Sequence, residues 1–507
     1  MVDKNIDQRK VGIIISYAGQ LIHILTGIIY TPILLRLLGQ SEYGLYQLVY
    51  SVVSYLSLLS LGFSASYMRF YTREKVTEER NAIAKLNGMF MLIFCVISVI
   101  CLLCGSVMII NIRNIFGAGL MDYEYGKAKV LMALMIVNLA LTFPNSVFNC
   151  IITSQERFLF QKTVLFFHYL LNPFLTLPIL LMGYGSIGMV AITTILTWAV
   201  LSINIFYCLK KLHSPFKFKG LKISLLKEMW VFTFFIFLNQ VVDQINWSVD
   251  KFLLGRIVGT TSVAVYGVGG QINTLYLQLS SSVSNVFIPK VNKIVVEKGD
   301  DSELTKLFTK VGRVQFIIMA FILTGFVFLG QSFIRFWAGN GYDESYTVTL
   351  LLIFPVTVPL IQNIGIEIQR AKNKHKARSV VYFFVAISNV FLSIPLIRLL
   401  GATGAAIGTA ISLIAGNIFF MNWYYYFKLN IDIVYYWKSI AKVCRGLIVP
   451  IFVGVFNMRF IEYDNMLKLF CGMVIYGAVY CLSMFFGGMN QEEKSIVMTP
   501  LLKVLKK

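Results

Sequence analysis

Apolar stretches of twenty or more residues recur from Val11 almost to the C-terminus, and they constrain the fold more than any motif does. Hydrocarbon offers backbone N–H and C=O groups no partner, so a chain crossing it must satisfy them internally, as helices or a closed barrel. A helix needs about twenty apolar residues to cover roughly 30 Å of hydrocarbon. The runs are continuous and do not alternate at period two, which excludes a barrel. With 57% hydrophobic and 14% charged residues, a soluble globular domain is excluded as well. The expectation is an all-α polytopic membrane protein of about fourteen transmembrane helices. The first run is too long for a signal peptide and lacks a small-residue cleavage site, so it is expected to remain as a helix.

The chain also nearly repeats itself. Asn172 and Pro178 recur as Asn389 and Pro395, 217 residues on (389 − 172). Gly185-x-x-Gly188 recurs as Gly401-x-x-Gly404, and the Gly39-to-Tyr46 spacing of seven recurs between Gly259 and Tyr266. Two similar helical lobes in one membrane chain are a common build for secondary transporters. The expected division is an N-lobe over 1–209 (spans one to six), a basic connector over 210–227, a C-lobe over 228–428 (spans seven to twelve), and spans thirteen and fourteen with a tail over 429–507. Six spans per lobe is an even number, so the two lobes should be pseudo-symmetric about an axis along the membrane normal.

The net charge of +21 is distributed as a membrane protein would distribute it. Lys210, Lys211, Lys217, Lys219, Lys222 and Lys227 follow span six, and similar groups follow spans two, eight and ten. Basic residues concentrate in cytoplasmic loops, which puts both termini in the cytoplasm. Anionic headgroups suffice as partners for these loops, so no nucleic acid is called for. The eight cysteines lie in or beside apolar segments; Cys101-x-x-Cys104 has a redox spacing but no second pair and no nearby histidine, so buried packing is the reading. Enzyme motifs are absent: no His-Glu-x-x-His, no Gly-x-Ser-x-Gly and no Walker sequence, and no cofactor is expected. Any active transport must then draw on ion gradients or substrate supply.

A charged group near the bilayer centre costs at least about 2.5–3.5 kcal/mol, so such groups usually face a bundle interior or water. Span seven carries Asn239, Asp243, Asn246 and Asp250 at steps of 4, 3 and 4, which aligns them on one helix face. Gln240, Gln244 and Lys251 widen the stripe. Span one has a matching set, Ser16, Gln20, His23 and Gly27. Polar faces on symmetry-related helices are what a central hydrophilic cavity requires; the competing reading is interhelical hydrogen-bond glue without substrate contact. Span two adds Gly62, Ser66, Arg69 and Arg73 at the same steps. Arg73 reads as a headgroup contact, and Arg69 as either a snorkelling residue or a cavity residue. Arg36 and Arg256 lie near the outer ends of spans one and seven, against the inside bias of positive charge. His168 reads as a hydrogen-bonded core residue, and Glu367 with Arg370 as an i, i+3 pair.

The stretch from Pro32 through Arg36, Gly39, Glu42, Tyr43 and Gly44 to Tyr46 resembles the first-to-second span junction of Wzx-type polysaccharide-biosynthesis flippases. These belong to the superfamily that also holds MATE drug exporters and lipid II flippases. Gly62-Phe-Ser-Ala-Ser-Tyr-Met-Arg69 resembles the end of that family's second span, Asp250-Lys251-Phe-Leu-Leu-Gly255 its seventh-to-eighth junction, and Ala371-Lys-Asn-Lys-His375-Lys its loop after span ten. The resemblance covers essentially the whole chain through short motifs.

It implies two helical bundles around a cationic cavity, and an undecaprenyl-pyrophosphate-linked oligosaccharide repeat unit moved from the inner to the outer leaflet by alternating access. It further implies a bacterial plasma membrane location, with the lipid-linked oligosaccharide, membrane lipids and a coupling ion (proton or sodium) as partners. The protein is expected to be monomeric, alone or beside the polysaccharide assembly machinery. Guanidinium binds phosphate in a bidentate way, so Arg36, Arg69 and Arg256 are candidates for the pyrophosphate, with Lys251 as a further cationic candidate. His23, Asp243 and Asp250 are the candidates for ion coupling, and Gln20, Asn239, Gln240 and Asn246 for polar cavity contacts. His23 stands where an arginine would suit a cationic cavity better. Competing functions are a MATE-type exporter, a lipid II flippase and, least, a membrane polymerase or ligase, for which the outer loops are too short.

Overall fold

In the computed structural model the described residues are 8–76, 80–220, 223–297, 300–372, 374, 376–495 and 498. Among them there are helices and connections but no strands. The first half runs α1 (Gln8–Val53), α2 (Phe63–Val76), α3 (Arg80–Ile110), α4 (Ile112–Phe116), α5 (Asp122–Ser154), α6 (Phe158–Leu181), α7 (Gly185–Phe206) and α8 (Ile223–Ile257). It continues with α9 (Thr260–Asn285), α10 (Ile288–Val296), α11 (Asp301–Trp337), α12 (Glu344–Ile361) and α13 (Ile364–Ala371). The chain then forms α14 (Lys376–Leu413), α15 (Met421–Leu429), α16 (Ile433–Cys444), α17 (Ile448–Phe460) and α18 (Met466–Ser483).

Ten helical stretches among the described residues are long and apolar enough to cross a membrane. Two of the ten, Ile24–Ser60 and Ala377–Leu429, each take in parts of two expected spans. The glycines Gly39 and Gly401 interrupt them with non-helical dihedrals. The expected seventh and eighth spans are α8 and α9, which carry the polar stripe and a serine-rich end and are not among the ten. The protein is an all-α polytopic membrane protein. Its large apolar side chains point outward freely, as lipid permits: Ile110, Leu399, Phe486 and Phe452 are each more than 70% exposed.

The expected span two is not a single helix. Residues Ser54–Ser60 tighten into a 3-10 helix, and Leu61 and Gly62 (φ 49° and 71°) break the chain before α2. Hydroxyls explain the change: Ser51, Ser54 and Ser57 each donate to the carbonyl three residues back, at 2.7, 2.7 and 2.6 Å. Such bonds compete with the helical ladder and favour the tighter turn. The expected outer loop from Asn111 to Lys127 is also structured, holding α4 and the first turn of α5.

The chain divides into two compact units, Met1–Ala264 and Val265–Lys507. In the first, α3, α5 and α7 pack in sequence, α1 lies along α6, and α8 packs on α1 and α2. Tyr67, Phe90 and Phe94 form its aromatic centre, with the Tyr67 and Phe90 rings edge to face at 4.9 Å. In the second, α11 packs against α12, α16, α17 and α18. The buried Tyr276 hydroxyl there bonds to Thr357 at 2.8 Å and donates to the Met319 carbonyl at 3.2 Å.

The sequence repeat has a backbone counterpart. Gly185 and Gly401 share φ of 56°, which side-chain-bearing residues rarely adopt. At Gly188 a Cβ would sit 2.4 Å from Ile179, and at Gly404 it would sit 2.0 Å from the Leu396 carbonyl oxygen. Each motif is therefore a turn followed by a close approach of backbone to the preceding helix.

Candidate functional site

The candidate residues that can be placed together lie in the first unit, on α1, α2 and α8. The α8 stripe runs from exposed to buried along its length: Asn239 and Asp243 are exposed, whereas Asn246 is 9% and Asp250 is 1% exposed. A helix lying wholly against lipid would not show this gradient with these residue types, because an exposed carboxylate at mid-membrane needs water or protein nearby. Gln240 is half-buried, and its Oε1 has no hydrogen-bond partner among the described residues.

The C-terminal half of α8 is tied to the second half of α1. The Lys251 Nζ donates to Gln47 Oε1 at 3.0 Å, and Gln47 Nε2 donates to the Tyr43 hydroxyl at 2.7 Å. One turn earlier, Gln244 Nε2 donates to Ser54 Oγ and, at 2.8 Å, to Ser248 Oγ. Lys251 is half-buried, so its aliphatic stem packs while the ammonium keeps a polar acceptor.

The arginines are spread over the same three helices. Arg36 is exposed on α1 and Arg69 on α2. Arg256, in the last turn of α8, is exposed and passes Gly117, where a Cβ would lie 3.8 Å from its Cγ and Nε. Arg73, expected at headgroups, donates through Nη1 to both Glu228 carboxylate oxygens at 2.9 and 3.0 Å. Gln20 is half-buried on α1; the side chain of His23 lies outside the described residues.

His168 differs from its expected role. It is half-buried, but its Nδ1 has no hydrogen-bond partner among the described residues. The Tyr169 ring meets it edge to face with centroids 6.1 Å apart. The expected pair does form: Arg370 donates to Glu367 at 2.7 Å.

Two carboxylates near helix junctions escaped sequence reasoning. Glu124 is 3% exposed and accepts from Ser41 at 2.8 Å and Thr260 at 3.0 Å, joining α5, α1 and the start of α9. Glu42 accepts the Ser186 backbone N–H and hydroxyl at 2.5 and 2.7 Å and pairs with Lys127 at 2.6 Å. Both looked like junction residues in sequence, where a carboxylate ordinarily meets water. A signal did exist for α1: Gln47, Ser51 and Ser54, at steps of 4 and 3, form a polar stripe in an otherwise apolar run.

The comparisons with known proteins agree with one another. A family described as "Polysaccharide biosynthesis protein" matches residues 10–295, more than half of the chain. The uncharacterized membrane protein EpsK of Bacillus subtilis (strain 168) is 22% identical over 484 residues, covering 92% of this chain and 93% of that protein. The putative O-antigen transporter of Shigella flexneri is 20% identical over 402 residues, 77% of this chain and 91% of that protein. Among solved structures, the lipid II flippase MurJ in its inward closed conformation aligns with a TM-score of 0.73 at 18% identity, over 97% of this chain and 99% of that one. This last likeness is one of fold.

Proposed function

The chain belongs to the polysaccharide biosynthesis protein family, and from that premise we propose that it is a flippase for lipid-linked oligosaccharides. The reading is of a carrier and not an enzyme. Its substrate is an undecaprenyl-pyrophosphate-linked repeat unit, moved from the inner to the outer leaflet of a bacterial plasma membrane by alternating access, with both termini in the cytoplasm. The working halves are the six-span lobes over 1–209 and 228–428, joined by the basic connector over 210–227. The observation that carries the reading is the α8 stripe. In this chain α8, an expected span, keeps Asn239 and Asp243 exposed and Asp250 buried, which suits a helix lining a hydrophilic path.

The physical need is plain. A glycan and a pyrophosphate cannot cross hydrocarbon unaided, whereas a prenyl tail can stay in lipid. Arg36, Arg69 and Arg256 would take the pyrophosphate oxygens, with Lys251 as a point charge beside them. Asn239, Gln240, Asn246 and Gln20 would hydrogen-bond sugar hydroxyls. Asp243, Asp250 and His23 would exchange the coupling ion, since movement against a gradient needs a group whose charge can be neutralised. The support is that these residues lie on α1, α2 and α8 of one unit, with α8 packed against both of the others.

Complementation tests the reading. The gene should restore surface polysaccharide to a strain lacking its own O-unit flippase and should fail to rescue one lacking its lipid II flippase. Rescue of peptidoglycan synthesis instead would transfer the substrate to lipid II.

A further inference from the structure

A second charged site lies wholly in the second unit, away from the residues discussed above. At one end of α11, between α10, α16 and the segment after α18, there is a cavity of about 660 Å³. The basic loops that flank it belong to the set assigned by sequence to the cytoplasm. Six cationic side chains line it against three carboxylates, Glu303, Glu492 and Glu493.

Two of the cations are already committed. Arg313, 8% exposed, donates to Glu493 through Nε at 2.6 Å and Nη2 at 2.9 Å, and through Nη1 to the Ser439 carbonyl at 2.7 Å. Lys310 pairs with Glu492 at 2.5 Å. The buried Arg313–Glu493 bonds build a fixed wall, and the Lys310 pair lies exposed beside it. Lys306, Lys442 and Arg445 are exposed in the lining, and none has a carboxylate within 4.0 Å among the described residues. Lys290 adds a further positive charge at the rim.

Apolar surface begins where the charge ends. Phe486, just before the lining residues Gly487 and Gly488, is 75% exposed, and Ile448 and Val449, one turn after Arg445, are 54% and 52% exposed. A ligand with a phosphate head in the cavity could lay acyl chains on this surface without leaving the membrane. A soluble phosphate would gain nothing from it.

We propose that this cavity binds the phosphate headgroup of an anionic membrane lipid, held by Lys306, Lys442 and Arg445. Basic pockets between membrane helices on the cytoplasmic side suit such headgroups. The site sits where α11, α16 and the segment after α18 meet, so occupancy ties the last two spans to the rest of the unit.

The test uses the purified full-length protein in uncharged detergent, with thermal unfolding as the readout. Added phosphatidylglycerol should raise the midpoint, and phosphatidylcholine should not. The triple variant Lys306→Gln, Lys442→Gln, Arg445→Gln should unfold at the same temperature as wild type without lipid and lose the lipid-induced shift. The single variant Arg445→Gln, at an exposed position, should fold like wild type and show a smaller shift. It keeps the question answerable should the triple variant fail to fold. Loss of the same charge at Lys210, Lys211 and Lys219 should leave the shift whole. Retention of the full shift by the triple variant, or by Arg445→Gln should the triple variant fail to fold, would overturn the site. An equal shift with inorganic pyrophosphate alone would overturn the lipid assignment.

Discussion

Lys251 on α8 donates to Gln47 on α1 at 3.0 Å, which ties the polar stripe of one helix to that of another inside the first unit. The ammonium is half-buried, so its acceptor matters to both stability and position. Removing one partner of a buried charged hydrogen bond leaves the other desolvated and costs about 1–3 kcal/mol. Gln47→Leu should lower the unfolding midpoint in detergent and reduce surface glycan. Gln47→Glu, which keeps an acceptor for Lys251, should retain stability.

Glu42 caps the start of α7 from a different helix, through the Ser186 N–H and hydroxyl, and also holds Lys127. A negative charge at a helix N-terminus opposes the unsatisfied N–H groups there. Glu42→Gln should destabilise the protein by about 0.5–2 kcal/mol, the range for lost caps and helix-dipole partners. In the second unit, Glu344 accepts the Thr403 N–H and hydroxyl at 3.1 and 2.8 Å, but in an exposed setting. Glu344→Gln should therefore cost less. Thermal unfolding of the two variants side by side decides the ranking.

Arg313 and Glu493 form a buried pair, 8% and 4% exposed. Breaking it from one side strands a charge, at about 3–5 kcal/mol, whereas replacing both partners with apolar groups is often neutral. Arg313→Met should lower the midpoint strongly. The double variant Arg313→Met, Glu493→Leu should recover much of that loss.

The Lys310 ammonium beside it holds the Glu492 carboxyl below its ordinary range. A carboxylate with a depressed folded pKa stabilises the fold above its unfolded pKa, and that contribution vanishes as pH falls through the folded value. Wild type and Glu492→Gln should therefore differ in unfolding midpoint at neutral pH and converge on acidification below the normal carboxylate range. The difference will be modest, because both side chains are exposed.

Much of this architecture was legible because hydrocarbon leaves so few options. Apolar run length gave the helices, and the Gly185 and Gly401 motifs proved to be matching turns with the same φ. What escaped was whatever depended on partners far apart in sequence. Glu124 could be read as a solvated loop residue until α1 and α9 brought Ser41 and Thr260 to it. Span two read as one helix because hydropathy is blind to the serine hydroxyls that tighten Ser54–Ser60. The α8 stripe was visible as a spacing, but its gradient from exposed Asn239 to buried Asp250 comes from packing against α1 and α2. Polar positions can be counted along a helix; which of them meet water is decided by the neighbours.

The arginine on α2 gives a sharp probe of the proposed pyrophosphate contact. Arg69 is exposed, so Arg69→Ala removes no core packing. It should abolish surface glycan while protein levels stay normal, measured by immunoblot and glycan staining. Normal export by this variant would take Arg69 out of the site.

The most direct test is to delete the gene in its host and identify the lipid-linked glycan on each leaflet of the plasma membrane. The account predicts that an oligosaccharide on a pyrophosphate lipid accumulates on the inner leaflet while surface polysaccharide disappears. Unchanged surface polysaccharide with no such build-up, or accumulation of lipid II instead, would contradict it.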